Sequence, residues 1–290
     1  MKKVYLLSLA FVTALSMSSC TKEEAPAGGG EDSNTVPSSF TKKVLVEEFS
    51  GAWCGWCPDG AHILETILND NPSNSVGVTL HYGDAMQLAA YNDIKTAFAV
   101  TGYPTGMIDR VPSTQDKKVA MSRSYWKSNA STRAAVVAPC GLKIDATNKE
   151  AIKVTAGFAK EIAGDVRMTV YVIEDEVTGT GSGYDQQNYL ANRAGFESSP
   201  YYTQPSLIKG YKHMKVWRAV LNSNTFGDAI PAANIVAGGK FESTFSLNTL
   251  GMDESKVSII AFVNVKGSTA STHEVLNAQS VKLGMNKGWD

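Results

Sequence analysis

Several things are scarce in this 290-residue chain, and each scarcity excludes something. Charge of one sign is scarce: 27 Lys and Arg stand against 28 Asp and Glu, a net charge of −1, so no basic field exists to attract nucleic acid. Cysteine is scarce too, and four residues in a chain of this size cannot build a disulfide scaffold. Long apolar runs are missing, for no segment offers eighteen consecutive apolar residues, so no permanent membrane-spanning helix is expected. What is plentiful is apolar surface. At 43% hydrophobic residues the chain is not disordered, and its length points to two domains at about 150 residues each.

The first residues read as an address. Met1-Lys2-Lys3 precedes an apolar run, Val4 to Leu15, and Ser16-Met17-Ser18-Ser19 then brings small residues up to Cys20. This is the plan of a secretory leader. Small residues ending at a cysteine resemble the lipobox of bacterial lipoproteins, which implies cleavage after residue 19, acylation of Cys20 and a membrane contact through that lipid. Met17 stands where that motif usually carries Leu. Residues 20–40, rich in Glu, Pro, Gly and Ser, read as a flexible tether. The expected location is the cell envelope, lipid-anchored at the outer membrane, with the leaflet face open.

The chemical centre is Trp53-Cys54-Gly55-Trp56-Cys57-Pro58. Before it, Lys43 to Phe49 reads as a buried strand; after it, Ala61, Leu64, Ile67 and Leu68 recur at helical spacing. A Cys-x-x-Cys pair at such a junction meets the positive end of a helix, which stabilises a thiolate at Cys54, and two intervening residues let both sulfurs meet. Glu48 shares a strand face with Val44 and Val46, so alternation buries it and turns Glu47 the other way. A buried carboxyl has a raised pKa, and a family resemblance that these residues carry implies that it lies beneath Cys57 and takes that thiol's proton. Asp59 and the Gly55-Trp56 dipeptide leave the redox poise unsettled. A zinc site lacks two further ligands, while a purely structural bridge stays open as an alternative.

From Val44 to Ile108 this pattern resembles the thioredoxin superfamily, with Thr101-Gly102-Tyr103-Pro104-Thr105 as a second landmark. The resemblance implies a cis bond before Pro104 and a substrate side formed by Trp53, Trp56, Tyr103 and Pro104. Cys54, Cys57 and Glu48 become the catalytic residues, with protein dithiols or disulfides as substrates, a redox partner of unspecified identity and no cofactor or metal.

Beyond Pro139 the hydrophobic period changes from helical to alternating, and Leu142, Ile144, Val154, Ala156, Val170 and Val172 head a series of seven or so short strands. An all-β, immunoglobulin-like sandwich is expected over 139–290, after an α/β thioredoxin-like domain over 41–138. Residues 177–231 form a long insertion with Tyr184, Tyr189, Tyr201, Tyr202 and Tyr211, suited either to a binding face or to packing on the rest of the chain. Cys140 is expected to be a buried thiol. The whole arrangement resembles the twenty-eight-kilodalton outer-membrane lipoprotein family. Two functions follow: a lipid-anchored thiol–disulfide oxidoreductase, or a surface interaction lipoprotein whose bridge is structural.

Overall fold

Every side chain of Val44–Ser50, strand β1, is buried, which marks a strand covered on both faces and hydrogen-bonded on both edges. The structure is a computed structural model that describes Met1 and residues 35–289, and every element below lies in the unit Thr35–Asp290. Residues 2–34 of the expected leader and tether, Cys20 among them, lie outside the described residues, whereas Phe40, at the end of the expected tether, is buried and forms an antiparallel bridge with Ala138.

Helix α1 (Cys57–Asp70) follows β1, with Pro58 in its first turn, where a missing N–H costs nothing. Strand β2 (Ser75–His81), helix α2 (Tyr91–Ala97), strand β3 (Thr105–Ile108), the short β4 (Met121–Ser122) and helix α3 (Trp126–Ala134) complete the first half. The second half is nearly all strand: β5 (Cys140–Asp145), β6 (Ile152–Phe158), β7 (Val166–Glu174), β8 (Gln186–Gln187), β9 (Leu207–Ile208) and β10 (Val216–Val220). Then come β11 (Asp228–Ala229), β12 (Lys240–Phe245), β13 (Val257–Val265), β14 (Val275–Lys282) and β15 (Asn286–Lys287).

These elements do not form an α/β thioredoxin-like domain followed by an immunoglobulin-like sandwich. Among the described residues the α-helices are three and short, and one nine-stranded mixed sheet, ordered β14-β13-β7-β10-β2-β1-β3-β4 with β11 beside β7, draws strands from both halves. The physical reason is the free edge of β2. That strand is buried along almost its whole length, so its outer backbone groups need partners, and β10 supplies them by pairing Val216 with Thr79. Antiparallel β7, β13 and β14 then extend the sheet. A four-stranded sheet, β12-β6-β5-β15, covers part of it, and Leu142, Ile144, Val154 and Ala156 share a core with Val170, Val172, Ile259 and Ala261.

Residues 84–100 carry Leu88, Tyr91, Ile94 and Phe98 at helical spacing, which predicts a helix over the whole stretch, but the helix is confined to Tyr91–Ala97. Asp84 explains the loss. Its carboxylate accepts from the Met86 amide at 2.9 Å and from the Ala52 amide at 2.8 Å, which fixes a turn and ties it to the cysteine loop.

The two faces of β1 lead into two cores. Leu45 and Phe49 face one with Tyr171 and Phe262, while Val44 and Val46 face another with Leu64, Ile67 and Trp126. Glu47 and Glu48 follow these opposite faces, and both are fully buried.

Candidate functional site

Cys54 and Cys57 are joined by a disulfide, with Cys54 4% and Cys57 1% exposed. The loop that carries them is held from within and from two sides. Its own turn donates from Cys54 N to Gly51 O at 2.9 Å and from Cys57 N to Cys54 O at 3.1 Å. On one side Asp84 takes the Ala52 amide and His81 Nδ1 at 2.6 Å. Trp53 donates its indole N–H to Tyr82 O at 2.7 Å and meets Tyr103 edge-on at 5.3 Å. The Tyr103–Pro104 peptide bond is cis.

On the other side lies the long insertion, which packs onto the cysteine loop. Gln187 N donates to Ala52 O at 2.8 Å, Gln186 Nε2 to Cys54 O at 2.9 Å, and Tyr189 N to Gly55 O at 2.8 Å. The approach is close enough to require glycine at position 55, because a Cβ there would lie 2.4 Å from the Tyr189 ring. Trp56 is enclosed by Tyr189 and Phe196, with the guanidinium groups of Arg193 and Arg123 over its ring at 4.6 and 5.4 Å. Arg123 also pairs with Asp59 at 2.5 Å, which offsets the negative charge at the start of α1. The result is an aromatic surface around a shielded bridge, with Trp53 43% and Tyr189 54% exposed.

Glu48 sits beneath this loop. A Cβ on Gly60, one turn into α1, would lie 2.6 Å from Glu48 Oε1 and 2.9 Å from Pro104, so glycine, carboxyl and proline converge there. Gly60 lies three residues after Cys57, on the same helix face. The only hydrogen bond of the Glu48 carboxyl among the described residues is a long one from Thr79 Oγ1, 3.4 Å, and Oε1 has none. Burial pushes its pKa up to about 8, against a small opposing effect of Thr79.

Two buried histidines flank the insertion's anchor. His213 meets His81 edge-on at 5.0 Å and bonds through Nε2 to Tyr184 O at 2.8 Å. Burial, and then His81, lower its pKa to about 4, so it is neutral at physiological pH. Cys140 is a buried free thiol whose pKa burial pushes up to about 12.

The structure thus brings Cys54, Cys57, Glu48, Trp53, Trp56, Tyr103 and Pro104 into one neighbourhood. It adds residues that sequence reasoning did not assign to it: Asp84, Arg123, Gln186, Tyr189 and the Tyr201–Tyr211 pair. Only the tyrosine richness of the insertion signalled any of them, and nothing local says where that insertion lands.

The family model of Outer membrane protein Omp28 matches residues 91–287, well over half of the chain. The match takes in the insertion and begins after the Cys54–Cys57 pair. No curated protein matches the chain. Among solved structures, HBP35 of Porphyromonas gingivalis aligns at 21% identity over 84% of this chain and 76% of its own, with a TM-score of 0.64, a similarity of fold. Protein AGR_C_4864 from Agrobacterium tumefaciens aligns at 13% identity over 84% of this chain and 95% of its own, with a TM-score of 0.47. No helix of the described residues is long and apolar enough to cross a membrane. The chain belongs to the Omp28 family of outer membrane proteins, and its place in the cell envelope is the outer membrane.

Proposed function

We propose that this protein acts at the outer membrane as an interaction protein, offering a polypeptide partner the aromatic surface built around the Cys54–Cys57 bridge. One observation carries the reading: Trp53 and Tyr189 are large, exposed side chains on a loop locked by a disulfide, by Asp84 and by Gln186. Tryptophan, tyrosine and arginine dominate binding hot spots, and a preorganised loop loses little entropy when it binds. Trp56 with its two arginines completes such a set. A lipid at Cys20 would hold this surface at the membrane. A photo-crosslinker at Trp53, used in the intact envelope, is expected to give a discrete adduct, and one at exposed Lys153 none. Equal labelling from both positions would contradict the reading.

Glu48 favours a second reading, thiol–disulfide exchange. With the pair reduced, the Cys54 thiolate attacks a partner disulfide, forms a mixed disulfide and expels one partner thiolate. The Cys57 thiol then passes its proton to the Glu48 carboxylate and attacks Cys54 Sγ. The second partner thiolate leaves, and the Cys54–Cys57 bridge forms. Two electrons pass from the cysteine pair to the partner; the reverse sequence oxidises a partner dithiol. A carboxyl titrating near pH 8 holds both protonation states in reach at neutral pH.

Insulin reduction and refolding of a scrambled substrate separate the two readings. A bridge with a purely structural role gives no turnover and resists millimolar thiol. An exchange centre gives turnover that Cys54→Ser abolishes and Glu48→Gln slows by about tenfold to a hundredfold, the usual size of a proton-transfer contribution.

A further inference from the structure

A cavity of about 210 Å³ opens beside Glu48, between α1 and the insertion. Glu48 and Thr79 lie at its buried end, Leu64 and Leu68 line the α1 side, and Tyr201 and Tyr211 line the other. The two phenols share one hydrogen bond at 2.9 Å, and the Glu48 carboxyl is the polar group at depth without a strong partner among the described residues. Glu65 stands exposed on the rim. Lys215, the cation that also lines the cavity, is committed to Asp175 at 2.8 Å.

The geometry points to a binding site for a small primary amine carried on a short apolar stem. An ammonium group at the floor would give Glu48 a charge-assisted hydrogen bond that none of the described residues supplies. The leucine and tyrosine side chains would cover the stem, as apolar walls do in small-molecule sites. Two carboxylates, one at the floor and one at the rim, select a cation over an anion, and the lone lysine does not oppose it. A buried polar group without a partner is costly to a fold, so its occurrence at the end of an open, apolar-walled cavity is more economically explained by a ligand than by packing.

Binding is linked to protons. The groups facing Glu48 are Thr79 from β2, Glu65 from α1, and Tyr201 and Tyr211 from the insertion; burial raises the pKa of both tyrosines, so they stay neutral. Near neutral pH an arriving ammonium ion therefore displaces the Glu48 proton to solvent, and affinity rises with pH until that carboxyl is already ionised. The site requires no chemistry at the cysteine bridge and stands under either reading of it.

The test is calorimetry of the purified full chain with phenethylamine and its neutral analogue 2-phenylethanol. One phenethylamine is expected to bind at pH 8, at least tenfold tighter than the alcohol, with affinity falling at least tenfold by pH 6. Glu48→Gln is expected to remove the preference for the amine while keeping the alcohol's affinity. Ala61→Phe, which fills the cavity from α1, is expected to abolish binding of both. The inference is overturned by absence of saturable binding to the wild type, by equal affinity for amine and alcohol, or by amine binding that survives both substitutions.

Discussion

Glu47 and Glu48 are neighbours on β1, both fully buried, and their surroundings differ completely. Glu47 receives two hydrogen bonds from Arg110, at 2.7 and 2.8 Å, and Arg110 also donates to Tyr171 at 3.0 Å between the rings of Phe98 and Phe262. Burial alone would lower the Arg110 pKa, but Glu47 and Tyr171 outweigh it and raise it, so the guanidinium stays charged. Among the described residues Glu48 has one long hydrogen bond and no paired cation. The same residue type in adjacent positions thus performs opposite tasks. Glu47 links β1 to β7 and is satisfied by the fold; Glu48 is left unsatisfied beside a cavity and a disulfide, where a proton or a ligand can reach it.

The largest expected effect comes from breaking the satisfied side. Arg110→Met strands a buried carboxylate and is expected to cost about 3–5 kcal/mol, read from denaturant midpoints, while Glu47→Leu combined with Arg110→Met recovers most of it. A single-variant cost below about 1 kcal/mol would erase the contrast between the two residues.

Next comes the unsatisfied side. The native state holds the Glu48 proton up to about pH 8, whereas an unfolded glutamate releases it near 4.5, so between these values the unfolded chain binds fewer protons. Stability from this group is full below pH 4.5 and is lost as pH rises towards 8 and through it. Glu48→Gln is expected to flatten that decline and to exceed the wild type at pH 9 by on the order of 3 kcal/mol, with little difference at pH 4.

His213 supplies the opposite slope. Its pKa lies at about 4 in the native state against 6.5 in an ordinary histidine, so its contribution is full above 6.5 and is lost as pH falls towards 4 and through it. His213→Gln is expected to remove about 2–3 kcal/mol of acid sensitivity, and protection of the Tyr184 region from hydrogen exchange should then no longer fall below pH 6.

The smallest effect sharpens the role of the insertion as the roof over Glu48. Gly55→Ala places a Cβ against the Tyr189 ring and is expected to cost about 1–2 kcal/mol, seen as faster exchange of the Tyr189 amide. Water admitted to the cavity should bring the Glu48 titration down towards the ordinary carboxylate range. No change in either readout would separate the insertion from the site.

What the sequence made legible was local. Alternation with Val44 and Val46 placed Glu48 inside, and the strand-to-helix junction placed Cys54 and Cys57 at the start of α1. Beyond Pro139, where the hydrophobic period changes, the described elements are nearly all strand. What stayed hidden depended on distant partners. Arg110 finds Glu47 63 residues away in sequence, and Gln186 reaches Cys54 across 132. The same limit hid the continuation of the sheet past β2, because its neighbour β10 lies beyond more than a hundred residues of other structure. The helical spacing of Leu88, Tyr91, Ile94 and Phe98 did not reveal that the turn at Asp84 is fixed by a carboxylate that serves Ala52 and His81 as well as its own turn.

The site depends on a Glu48 carboxyl that is kept neutral and without a strong partner among the described residues. Selective carbon-13 labelling of glutamate, with Glu48→Gln to assign the resonance, measures this directly by titration of the carboxyl signal. That state of the carboxyl predicts a midpoint near 8 in the unliganded protein. A midpoint near the ordinary 4.5 would mean that Glu48 has a partner or free access to water, and would contradict it.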